Sequence, residues 1–172
     1  MVLFVLVLSS LAGLCGARAE PVDRLLYAVG DRIVTAGDLA FELDLDEHDV
    51  SPIPALGVPG YSREQRLVDM TVVRALGGDT VIYRPSADEV EARWVKVRAT
   101  WSRPEEFEAF LVRWGMDGDA LRGFLYSRMV VERYIRRVAG SAEAPVDSEA
   151  FVAVYTAWIA ELRQRVLVRR AP

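Results

Sequence analysis

Apolar residues recur along most of the chain at steps of three and four, and the longest such run covers residues 117–138. Leu121, Phe124, Leu125, Val131, Ile135 and Val138 fall at helical spacing, and Met129, Val130 and Tyr134 widen the stripe. A stripe that broad predicts a central helix packed on more than one side. Asp117 is the expected N-cap, because its side-chain oxygen can accept from a first-turn N–H, and Gly140 follows the far end, where a left-handed turn is easiest. Arg122, Arg128, Glu132, Arg133, Arg136 and Arg137 occupy the other face, which is therefore expected to meet water.

Other segments read as packing partners of this helix. Residues 24–29 and 32–35 are β-prone runs separated by Gly30-Asp31, a hairpin signal because glycine supplies the positive φ of a tight turn. Thr35 and Asp38 then open a helix over 36–46. Apolar period is lost between 47 and 61, where Pro52, Pro54, Gly57, Pro59 and Gly60 predict a loop. Ser62 with Gln65, Ser86 with Glu89 and Ser102 with Glu105 form three capping boxes. The first opens a helix to about Leu76, with Leu67, Val68, Val72, Ala75 and Leu76 expected inside. The second aligns Val90, Trp94, Val97 and Trp101, and the third aligns Phe107, Phe110, Leu111 and Trp114 on a short helix closed by Gly115. After a small-residue linker at 140–145, Asp147 is expected to cap a last helix, where Phe151, Val154, Tyr155, Trp158, Ile159 and Leu162 share one face. Residues 165–169 revert to β-prone character, and a lone terminal strand needs a partner. The two ends of the chain are expected to meet in a small sheet, giving a mainly α domain with a hairpin and one C-terminal strand.

A length of 172 residues with a 52% hydrophobic share fits one domain with a real core. A formal net charge of −4 without a basic block argues against nucleic acid as a partner. Residues 2–8 are apolar, 9–16 turn small, and Ala17-Arg18-Ala19 has the small-x-small form of a signal-peptidase site, so 1–19 is expected to be a cleaved signal peptide and 20–172 the mature domain. The apolar run is too short to span a bilayer. Cys15, the single cysteine, would leave with the signal; Leu14 is bulky where a lipoprotein site wants a small residue.

Little chemistry is readable in the motifs. There is no P-loop, no G-x-G-x-x-G and no G-x-S-x-G. His48 stands among Asp44, Asp46, Glu47 and Asp49 at no calcium-loop spacing, so this acidic run is expected to be a solvated connection. Asp117-Gly118-Asp119 lacks a distal glutamate and reads as a helix cap. No catalytic residue, metal or cofactor is expected. Trp94, Trp101, Trp114 and Met116 lie on two short helices joined at 102–104, where an apolar crevice could hold a peptide, since aromatics and methionine offer large, adaptable contact area. Core filling is the competing role, most directly for Trp94 and Trp101, whose period matches the buried face.

The order of these parts resembles the N-terminal domain of the SurA-type periplasmic chaperones and, more distantly, the chaperone-like module of trigger factors. The residues that carry it are 27–35 with Asp38 and Leu39, the run 66–69, the helix start 85–90, and 107–125 with 133–135. The resemblance spans about 21–138 and lies in spacing more than in identity. It implies a periplasmic binder of unfolded or extended polypeptide serving outer-membrane protein biogenesis, with the last helix packing back. SurA-type chains usually continue into prolyl-isomerase domains, and no segment here has the length or sequence of one. The implied function is therefore non-enzymatic. Alternatives are an assembly subunit dedicated to one partner protein and the chaperone part of an isomerase without its catalytic domain.

Overall fold

A computed structural model describes residues 23–51, 53, 62–77, 80–139 and 148–172. The proposed signal peptide, most of the proline-rich loop, Gly140 and Asp147 lie outside the described residues. Strands β1 (Leu25–Val29) and β2 (Arg32–Thr35) precede helices α1 (Ala36–Asp46), α2 (Arg63–Gly77), α3 (Ala87–Arg98), α4 (Pro104–Arg113), α5 (Gly118–Ala139) and α6 (Glu149–Arg165), and β3 (Val168–Arg170) follows. A single 3-10 turn, Val81–Tyr83, links α2 to α3. The fold is mainly helical with one small antiparallel sheet, as the periodicity predicts.

The sheet has the order β2-β1-β3, so the first strand is flanked by its hairpin mate and by the last strand of the chain. Gly30 adopts φ 60° while Asp31 does not enter the positive region, the pattern of a hairpin turn with glycine at its first central position. The Gly30 N–H donates to the Leu167 carbonyl at 2.8 Å, and the Ala171 N–H to the Leu26 carbonyl at 2.8 Å, pinning the C-terminal strand at both ends. The two chain ends do meet. Thr35 caps α1 reciprocally with Asp38, and Ser86 caps α3 reciprocally with Glu89.

Two helix N-caps differ from expectation by one residue, and the last strand begins at Val168 and not at 165, because α6 continues to Arg165. The N-cap of α4 is Arg103, because Pro104 is preset for the first helical position and Glu106 then reaches back to the Arg103 N–H. The α6 cap is Ser148, whose hydroxyl accepts from the Phe151 N–H at 3.2 Å. In α2, Ala75 and Leu76 are exposed, and Asp69, Met70 and Val73 are buried instead. The stripe is rotated toward α5 and α6, and Asp69 is satisfied there by Arg163 at 2.5 Å.

Helix α5 organises the interior. Its N-terminal half puts Leu121 and Leu125 into a cluster with Phe41, Leu45, Val97, Phe107, Phe110 and Leu111. Its C-terminal half puts Val131, Ile135 and Ala139 into a second cluster with the sheet, α2 and α6. Close approach at one point depends on glycine: a Cβ on Gly77 would fall within the Tyr134 ring, which is stacked on Tyr83 at 4.7 Å and meets Trp158 edge-on at 5.5 Å.

Candidate functional site

Between the two apolar halves of α5 lie charges, contrary to the expectation that its whole arginine face meets water. Arg128 and Glu132 are only 2% and 6% exposed. Leu121, Leu125, Arg128, Glu132, Ile135 and Ala139 form one buried stripe, with the two charged residues at its centre. Partners come from the acidic end of α1, so the run around His48 is not a solvated connection either. Arg128 pairs with Asp46, and lies 3.4 Å from Asp49 and 3.8 Å from Glu42. Arg66 of α2 also pairs with Asp46, and Arg93 of α3 spans Asp49 at 2.9 Å and Glu132 at 2.6 Å. Arg122, Arg133, Arg136 and Arg137 do keep to the partly or fully exposed side.

Four carboxylates thus face three guanidiniums in a space nearly closed to water. Glu42 carries the surplus: one of its oxygens is buried without a hydrogen bond. Burial pushes its carboxyl above the usual range, Arg128 opposes this, and Asp46 adds to it. Burial also presses on Arg93, but Glu132 and Asp49 outweigh it and hold that guanidinium above its ordinary range.

Glu42 and Arg128 line a groove of about 400 Å³ bounded by β2, α1, α2 and α5. Its apolar surface comes from Ile33, Val34, Phe41, Met70, Phe124 and Val131. Asp31, Arg32, Asp38 and Arg74 supply its charged lining, with Leu67, Thr71 and Ser127 completing the walls. Ile33 is 66% exposed, which is unusual for an isoleucine beside a core. The volume falls in the range typical of ligand pockets.

Trp94, Trp101, Trp114 and Met116 are brought together, but against the cluster of Phe41, Phe107 and Phe110 and not in this groove. Each ring has neighbours from its own chain. Arg122 covers Trp94 at 4.0 Å, with Phe107 at its edge, and His48 stacks on Trp101 at 3.5 Å. The Trp114 indole N–H donates to Asp44 at 2.8 Å while its ring meets Phe41 edge-on. His48 also contacts the Thr100 hydroxyl through Nδ1 at 2.7 Å, and burial, opposed by Glu47 and Asp44, keeps its imidazole below the usual range. Asp117 acts as a cap, accepting from the Ala120 N–H at 2.7 Å.

The groove residues went unread in the sequence, although a signal was there. Asp38, Phe41 and Glu42 follow helical spacing in α1, as do Leu67, Met70, Thr71 and Arg74 in α2, and Phe124, Arg128 and Val131 in α5. Each stripe mixes apolar side chains with charge: two carboxylates in α1 and one arginine each in α2 and α5. No family model and no curated protein matches the chain. Among the described residues no helix is long and apolar enough to cross a membrane.

Proposed function

We propose that this chain is a non-enzymatic, polypeptide-binding chaperone or chaperone-like module that works in the periplasm once residues 1–19 are removed. The observation that carries the reading is the groove: a mixed apolar and charged surface, with Ile33 exposed and Phe124 half-buried, beside a strand that among the described residues has no neighbour on its outer side. Such a surface accepts extended chain through main-chain hydrogen bonds and loosely specific apolar contact, which suits many clients. Ile33 and Phe124 fit that use because they are the apolar lining residues that solvent reaches, over a floor that includes buried Phe41 and Met70. The indole cluster of Trp94, Trp101, Trp114 and Met116 is a second surface for the same function. The groove takes precedence because it runs along the outer strand, where main-chain pairing is open to an added segment.

The test is aggregation of an unfolded outer-membrane protein, followed by light scattering with the mature chain added in near-equal amount. The reading expects scattering to be delayed and reduced. Several such clients aggregating at their unassisted rate would overturn it. Recovery of a single stoichiometric protein on co-purification, in place of a spread of clients, would favour the dedicated assembly subunit.

A further inference from the structure

We propose that the groove binds an extended segment bearing side-chain carboxylates, which adds as a strand along the free edge of β2 and meets Arg32 and Arg74. This rests on the polypeptide-binding reading and names the class of segment that would be taken.

Three observations converge. First, among the described residues the sheet order leaves β2 on the outside, and four consecutive residues, Asp31, Arg32, Ile33 and Val34, all line the groove. Side chains of a strand alternate between faces, so a consecutive lining means that the strand presents its edge. Second, the hairpin register decides which main-chain groups point outward. Val29 and Arg32 flank the two-residue turn, which makes them a hydrogen-bonded pair, and Ala28 opposite Ile33 is then a non-bonded pair. The N–H and C=O of Ile33 therefore face away from β1 and toward the groove. The next outward donor, the Thr35 N–H, is taken by Asp38 at 2.8 Å, so added pairing is confined to the stretch beside Ile33.

Third, the charges at the mouth are selective. Asp38 keeps its charge while one of its oxygens accepts from the Thr35 N–H and hydroxyl, and Glu42 and Arg128 belong to the buried network below. That leaves Asp31, Arg32 and Arg74, and among the described residues neither arginine is in an ion pair. Both are exposed, and partial burial followed by the charge of Arg32 eases the Arg74 guanidinium below its ordinary range. Two exposed guanidiniums that line one groove without an ion-pair partner are open to a carboxylate on an incoming segment, and arginine binds carboxylate with directed, paired hydrogen bonds.

Fluorescence anisotropy of labelled short peptides on the mature chain tests this. All share alternating valines; the other positions are Glu, Lys or Ser, and the C-terminus is amidated except in one Ser peptide that keeps its free carboxylate. The Glu peptide is expected to bind about tenfold more tightly than the Lys peptide, and the gap should narrow as salt is raised. Arg32→Gln with Arg74→Gln should abolish the gap between the Glu and Lys peptides, and N-methylation of alternate amides in the Glu peptide should remove its binding without touching the protein. Equal binding of Glu and Lys peptides would overturn the proposal and leave the polypeptide-binding reading in place. Preference for the free-terminus Ser peptide over the Glu peptide would likewise overturn it, by moving recognition to the chain end. Binding of no peptide would overturn both.

Discussion

Replacing Arg128 by Met tests the buried charge network directly. The Arg128 side chain is 1% exposed, and it stands against Asp46, Asp49 and Glu42 at once. Methionine keeps much of the volume and removes the charge, so carboxylates from α1 remain in a closed space with two guanidiniums in place of three. Removing one partner of a buried pair typically costs about 3–5 kcal/mol. The lower end applies, because Asp46 retains Arg66 and Asp49 retains Arg93 at 2.9 Å. A loss of about 3 kcal/mol at pH 7 should lower Tm by roughly 10 °C in a chain of this size. Urea denaturation of parent and variant, with m compared to confirm a common transition, gives the number. Adding Glu42→Gln should recover part of the loss, since the carboxylate left without a close partner goes too. The penalty should also shrink as pH falls and the carboxylates take up protons. A variant within about 0.5 kcal/mol of the parent at pH 7, the spread of ordinary surface substitutions, would refute the reasoning and mean that water reaches these charges.

Three further outcomes follow from particular contacts. Glu42 has a folded-state pKa raised chiefly by burial, so its contribution to stability is complete below the usual carboxylate range and is lost as pH rises through the folded value. Glu42→Gln should therefore match the parent near pH 4 and exceed it at pH 8, with the parent falling by up to about 1.4 kcal/mol per pH unit between; identical pH profiles would contradict this. Gly77→Ala should destabilise by about 1–3 kcal/mol because the new methyl overlaps the Tyr134 ring, and Tyr134→Ala in the same chain should relieve that clash; a neutral Gly77→Ala in chemical denaturation would mean that the ring has room to move. Removing residues 166–172 takes away buried Val166 and uncovers the second edge of β1, so size-exclusion chromatography should show self-association through that edge; a monomer of parental stability would show that β3 is dispensable.

The elements were legible because local signals and burial agreed. Gly30-Asp31, the Thr35–Asp38 and Ser86–Glu89 boxes and the period of Phe151, Tyr155, Ile159 and Leu162 each act within one turn or one helix, and the two β-prone chain ends had no other strand to pair with. The network was not legible for the complementary reason. Arg128 looks like a surface residue until Asp46 and Asp49, about eighty residues earlier, arrive across the fold to neutralise it. Tertiary pairing overrides the ordinary preference of charge for water, and no local period records it. The groove shares that origin: Phe41, Met70 and Phe124 belong to three helices, and only their convergence beside Ile33 leaves space between them. Trp94, Trp101, Trp114 and Met116 pack against one apolar cluster, while the partners on the indole faces and N–H, Arg122, His48 and Asp44, come from elements that spacing does not connect.

The most direct test of the proposed function is an amide and indole chemical-shift titration of the mature chain with an unfolded outer-membrane client. The largest perturbations are expected on residues 31–34, 70–74 and 124–131, with smaller changes at the indole N–H signals of Trp94, Trp101 and Trp114. Shifts confined to those three indoles, with the β2 edge silent, would contradict the assignment of the groove as the binding surface.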